Sequence, residues 1–405
     1  ADVNATPTSG APVHNTKGLI SAGDTLKITD PNAATPSAKT LNLINTGGTL
    51  VADKSVQIDA ATFSGDGQLV SGKDLSVALT QDIVNNGEVA ANGNLTYTTT
   101  GHFTNNGKLL AGQTLTVGGN NVDNTANAEM SGTNTIVNAA GTLTNRGLID
   151  SRGATQINPG TLNNIGPGRI YGNDISIAAG TLLNDAETRN NATRSGTIAA
   201  RNTLNIGAGT LTNREHALIF SGGNMAIGGG LDASGKATGQ GGTLNNLSAT
   251  IESLGNMSVS MGQINNWDTH IQLGPKTTTT TQTVTVAPVG GSGFYTLDQV
   301  VVIPGQPFVW ARNPDGSTGA LLYSNGYGIW TTTATTTADT AINADPALIS
   351  SGGDMTLRGG GHSRDSGAVR LTGTRARPAI PARRLHSCWH PANHRRVAAD
   401  RLYYR

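Results

Sequence analysis

Four short blocks end in glycines spaced 20 residues apart. They are Leu43-Ile44-Asn45-Thr46-Gly47, Phe63-Ser64-Gly65-Asp66-Gly67, Ile83-Val84-Asn85-Asn86-Gly87 and Phe103-Thr104-Asn105-Asn106-Gly107. After an irregular turn near Val122-Asp123-Asn124, the register returns at Leu143-Thr144-Asn145-Arg146-Gly147. It continues at Leu162, Leu182, Leu211, Leu244 and Ile264, with gaps of 19, 20, 29, 33 and 20 residues. The two long gaps imply insertions around residues 185–195 and 232–242, both rich in loop-forming residues. A second block follows within each period, as in Leu69-Val70-Ser71-Gly72-Lys73-Asp74-Leu75-Ser76-Val77 and Ile251-Glu252-Ser253-Leu254-Gly255-Asn256-Met257-Ser258-Val259. Copies also stand at 19–28 and 348–357.

Pairs such as Leu75/Val77, Leu115/Val117 and Met257/Val259 alternate with period two, which is strand spacing. Gly, Asn and Asp punctuate the pieces and suit corners. Twenty residues hold two or three short strands and no helix. Such a unit buries its inward side chains only by stacking on its neighbours. Composition agrees. Charged residues are 13% and aromatics 4%, with 54 glycines, so large core anchors are scarce. Yet 36% apolar residues at low charge is not a disordered composition.

The expected fold is all-β: a parallel β-helix, or solenoid, of about 20-residue coils with a β-rich excursion. About twelve coils between Gly18 and Gly274 would make a rod roughly 55–60 Å long at about 4.8 Å per strand. The recurring Asn45, Asn85, Asn105, Asn145, Asn213, Asn246 and Asn266 are expected to stack as a structural ladder at one corner.

The period, the Leu-x-Asn-x-Gly corner and the Ser/Ala-Gly-x-x-Leu-x-Val strand resemble the filamentous haemagglutinin repeat. The resemblance covers residues 18–274 and a short return at 348–358. It implies a right-handed helix and a non-enzymatic shaft of a large secreted bacterial surface exoprotein, either an adhesin or a stick presenting a distal toxin. It implies export through an outer-membrane two-partner secretion transporter, and a host or neighbouring-cell surface as partner. Family members begin with Asn-Pro-Asn motifs; the nearest string here is Asp30-Pro31-Asn32. The chain starts at Ala1 and reads as an internal or processed piece of shaft.

The expected organisation is a lead-in at 1–17, the repeat helix at 18–274, a Thr- and aromatic-rich insertion at 275–347, a returning coil at 348–370 and an aberrant tail at 371–405. In the insertion, Tyr295, Trp310, Tyr323, Tyr327 and Trp330 are candidates for partner or glycan contact, or else they pack the excursion. The tail holds eight Arg, one acid, the only cysteine (Cys388), and His386, His390 and His394 at helical spacing. Pro391 interrupts that spacing, so a metal site is not expected there, and the composition is that expected of a frame change or an unrelated junction. Without the tail the chain carries 19 bases and 25 acids, a net −6, which offers no footprint for nucleic acid. No apolar run approaches the ~20 residues of a membrane span.

No catalytic, cofactor-binding or metal-ligating motif emerges. Asp53, Asp66, Asp74 and Asp82 fall at scattered phases of the repeat and form no convergent pair. Isolated His102, His216 and His270 read as corner or surface residues. The alternative function is a polysaccharide-active β-helix enzyme, which would need such a pair on one outer face.

Overall fold

The computed structural model describes residues 3–5, 11–338 and 340–360. The tail at 371–405, with Cys388 and the three spaced histidines, lies outside the described residues. Two compact units are distinguished. In the first, the described residues run to Asn265 and resume at Leu348; the second is Asn266–Ala347.

The first unit is a parallel β-helix. Each coil contributes short strands, and each strand pairs in parallel with its equivalent one coil on. Leu75 stands beside Leu95 and Leu95 beside Leu115, so the offset is 20 residues. The offset widens to 30 between Leu26 and Val56, to 29 between Ile175 and Leu204, and to 32 between Met225 and Met257. The register survives because the extra residues leave the wall. One insertion forms the antiparallel hairpin Ala186–Ser195, and another pairs Gly230–Leu231 with Ala237–Thr238. Stacking also reaches ahead of Gly18: Val13 pairs with Leu43, and the backbone of Val3–Ala5 pairs with Leu26–Ile28.

Four apolar columns fill the interior. One runs from Leu26 and Val56 through Leu75, Leu95 and Leu115. It ends at Met225, Met257 and Met355. A second holds Ile28, Ile58, Val77 and Tyr97. A third holds Leu50, Leu69, Val89 and Leu109. The fourth, just before the asparagine corner, holds Phe103, Val122, Leu143 and Leu162. These side chains are almost wholly withdrawn from water. At roughly 1.5–3 kcal/mol for each large aliphatic side chain, such columns are the main stabilising term. One coil has too little surface to profit alone, because half of every contact belongs to the next coil. Tyr97 and Phe103 meet edge to face with ring centroids 5.1 Å apart. Where Thr135 and Thr155 replace aliphatics in the first column, their hydroxyls donate to the carbonyls of Asp150 and Tyr171, both at 2.7 Å.

The second unit is antiparallel. Thr277–Pro288 and Tyr327–Ala338 form a twelve-pair ribbon, and Tyr295–Thr296 adds a short strand to the first of them. Val300–Val302, Val309–Arg312 and Thr318–Tyr323 make a separate three-stranded sheet. Val286 of the ribbon and Val300 and Val309 of the three-stranded sheet form the small core of the unit.

Candidate functional site

The most extensive polar feature is a buried spine of asparagines along one corner of the β-helix. Each follows an apolar residue of the fourth column, so the wall turns there and the side chain points inward. Asn85 Nδ2 donates to Asn105 Oδ1 at 2.8 Å, Asn105 to Asn124 at 3.0 Å and Asn124 to Asn145 at 2.8 Å. The relay continues through Asn164, Asn184 and Asn213 to Asn246, with distances between 2.7 and 2.9 Å. Most of these amides spend a second hydrogen on a backbone carbonyl, as Asn124 does with Leu148 at 3.1 Å. At the amino-terminal end Asn15 donates to Asn45 at 2.8 Å. The stack breaks after Asn45. The next coil has Gly65 there, at φ +111°, and a Cβ would lie 2.2 Å from the Asn45 carbonyl oxygen. Asn45 donates instead to the Gln68 carbonyl at 3.0 Å. Asn266 belongs to the second unit, where it donates to the Ala347 carbonyl at 3.0 Å.

The linear sequence hid four members of this spine: Asn15, Asn124, Asn164 and Asn184. Their signal was position two residues after an apolar residue of the fourth column, a spacing that Val13/Asn15, Val122/Asn124, Leu162/Asn164 and Leu182/Asn184 share with Leu143/Asn145. Sequence reasoning also missed a second polar seam at the Ser-Gly corner. Ser71 Oγ donates to the Asp74 carbonyl at 2.7 Å, and Ser221 Oγ to that of Asn224 at 2.9 Å. Beside it, side-chain oxygens catch the backbone of a neighbouring coil. Asp74 accepts from the Asn94 amide at 2.9 Å, and Asn134 accepts from that of Ala154 at 3.0 Å.

Three of the four scattered carboxylates, Asp66, Asp74 and Asp82, have the same work. Asp66 accepts from the Gly47 amide at 2.8 Å and Asp82 from that of His102 at 2.7 Å. Their positions follow the coil, and they face backbone rather than one another. His102 itself lies 3.0 Å from Asp123, and His270 lies 3.1 Å from Asp345.

The aromatics of the second unit divide into two groups. Tyr295, Tyr323 and Tyr327 pack against the valine core, and the Tyr327 hydroxyl donates to the Ile303 carbonyl at 3.3 Å. The neighbouring Tyr323 phenol pushes the Tyr295 hydroxyl above its ordinary range. Trp310 is half-buried against Phe308, with ring centroids 5.5 Å apart. Trp330 is 60% exposed on the ribbon.

A stack of coils stapled through buried amides, with apolar columns inside, defines the chain as a parallel β-helix protein of the repeat-built type. The haemagglutinin repeat family model matches it seven times, at residues 2–87, 51–107, 90–147, 137–186, 172–224, 221–286 and 315–359. The chain belongs to the haemagglutinin repeat family. Proteins built of this repeat are adhesin-like shafts, generally non-enzymatic and typically secreted or surface-exposed. No curated protein and no solved structure matches the chain. Among the described residues, no helix is long and apolar enough to cross a membrane.

Proposed function

We propose that this chain is a shaft segment of a secreted bacterial surface exoprotein, which holds an adhesive or effector region away from the cell that makes it. The observation that carries this reading is the register. Apolar columns, and the asparagine spine from Asn85 to Asn246, pass from coil to coil through offsets of 19 to 33 residues without losing their partners. Such a wall is a spacer whose length grows with coil number.

The same architecture supports export through an outer-membrane two-partner transporter. A chain emerging unfolded meets a finished coil whose strand edge and amides are ready partners. Each new coil is thereby templated, and folding outside draws the rest forward. A receptor on a host or neighbouring cell is the corresponding partner of the exposed end.

The test is Leu115→Asp in cells that export the chain, with surface yield and protease resistance measured together. Leu115 is fully buried, and an unpaired carboxylate there cannot stack. The expected result is loss of both surface yield and protection. Wild-type export and resistance in the variant would overturn coil-by-coil templating.

A further inference from the structure

The strand Tyr327–Ala338 is the outermost of its sheet. The strand order places Tyr295–Thr296 and Thr277–Pro288 on one side of it, and no described strand lies on the other. Its twelve pairs with Thr277–Pro288 run without a register shift, so no bulge twists the free edge away. The strand contains no charged residue and no proline, and Ile329 through Ala338 are all exposed. Proteins ordinarily blunt such an edge with charge, proline, a bulge or a cover. Among the described residues, none of these devices is present along this strand.

The sequence of the edge says what fits it. Residues 331–337 read Thr-Thr-Thr-Ala-Thr-Thr-Thr, a palindrome centred on Ala334. An antiparallel partner of the same sequence, centred on the same residue, sets Ala334 against its own copy. Thr333 then faces Thr335, Thr332 faces Thr336, and Thr331 faces Thr337. Thr–Thr pairs across antiparallel strands are favourable, and β-branched residues suit a sheet. At the ends of the pairing, the exposed Trp330 indole meets the small Ala338 of the other copy. No like charges oppose each other within the paired segment.

We infer that this edge is a homotypic interface: two copies of the chain join through a two-fold antiparallel pairing of Trp330–Ala338 centred on Ala334. The two ribbons then form one continuous sheet. A two-fold contact of this kind is closed and self-complementary. A single strand pair is a small interface, so the dimer is weak and dependent on concentration. This inference does not depend on the shaft role, since a chain with any other function would carry the same edge.

The test uses the full chain in sedimentation velocity over a concentration series. Wild type should pass from monomer to dimer as concentration rises. A334K places two ammonium groups face to face and should raise the dimer dissociation constant at least about tenfold, as should A334E with two carboxylates. An equimolar mixture of A334K and A334E should recover the dimer, because each then meets the opposite charge. Ala334 is exposed, so neither change touches a core, and unchanged circular dichroism checks this. Cross-linking fixes the register. In a C388S background, A334C should oxidise to a covalent dimer, because paired Cα atoms about 4.5–5.5 Å apart suit a disulfide. T280C on the inner strand should not. The inference is overturned if wild type stays monomeric throughout the series. It is equally overturned if A334K associates as wild type does, which would place the contact elsewhere, such as at the ends of the rod. Failure of the mixed charges to restore association would also overturn it.

Discussion

At the scale of single residues, the spine is a chain of amides with no water to fall back on. Asn164 is fully buried, receives a hydrogen bond from Asn145 and donates to Asn184. Asn164→Ala therefore orphans the Asn145 donor and the Asn184 acceptor at once. Each buried orphan costs about 1–3 kcal/mol, so a loss of roughly 2–6 kcal/mol is expected in denaturant unfolding. The opposite case is Thr29, whose hydroxyl is the only buried side-chain polar atom without a partner among the described residues. Thr29→Val should be neutral or stabilise by up to about 1 kcal/mol in the same assay, since nothing is lost but an unmet desolvation. Asp30 supplies a pH signature. Its burial favours the neutral acid, but amide groups of Leu41, Asn32 and Thr40, with Lys39 nearby, outweigh that and hold the carboxyl below 3.8. A lowered folded value means its stabilisation is complete above the unfolded value and is lost as pH falls through the folded one. Wild type should thus lose more stability on acidification below about pH 4 than Asp30→Asn does, as read by unfolding midpoints.

At the scale of elements, corners and insertions carry the tolerances. A Cβ on Gly112 would lie 2.0 Å from the Asn92 carbonyl oxygen, where two coils pass closely. The hairpin Ala186–Ser195 is held differently, by ion pairs to the wall. Arg146 reaches Glu187 through a two-pronged contact of 2.9 to 3.1 Å, and Arg214 meets Asp185 at 2.7 Å. The Arg146 hydrogen bonds hold Glu187 below its ordinary value of 4.5 despite partial burial. The hold is therefore complete above that value and fails as pH falls below it. Amide hydrogen exchange in 186–195, corrected for its intrinsic pH dependence, should show protection falling on acidification while the apolar columns stay protected. Arg146→Ala should show the same loosening already at neutral pH.

At the scale of the whole molecule, the first unit resumes its own register after a long departure. Ile349 stands beside Ile251 and Met355 beside Met257, although 98 residues separate each pair in sequence. Within the second unit, the Asn266 amide and the Ala347 carbonyl are 3.0 Å apart, so the excursion leaves and returns at nearly one point. Replacing 266–347 by a short glycine-rich turn should leave the β-helix folded, with a melting shift below about 5 °C. A collapse of the melting transition in that variant would show that the coils need the excursion to form.

The stack was legible in the sequence because its cause is linear. Period-two apolar residues recurring every 20 positions have no burial open to them except against their own copies. Leu75, Leu95 and Leu115 announce a column before any coordinate is known. Three-dimensional pairing decided what linear spacing does not encode. Asn124, Asn164 and Asn184 joined the spine because hydrogen bonding follows the register, and the parallel pairing sets each beside its neighbour whether the step is 19, 20 or 21 residues. Tyr295, Tyr323 and Tyr327 went to a small core while Trp330 stayed in water, because their strands pair antiparallel around three valines that no repeat marks. A periodic pattern specifies contacts between equivalent residues. Contacts between unlike residues, such as Arg146 with Glu187, depend on where the chain returns in space.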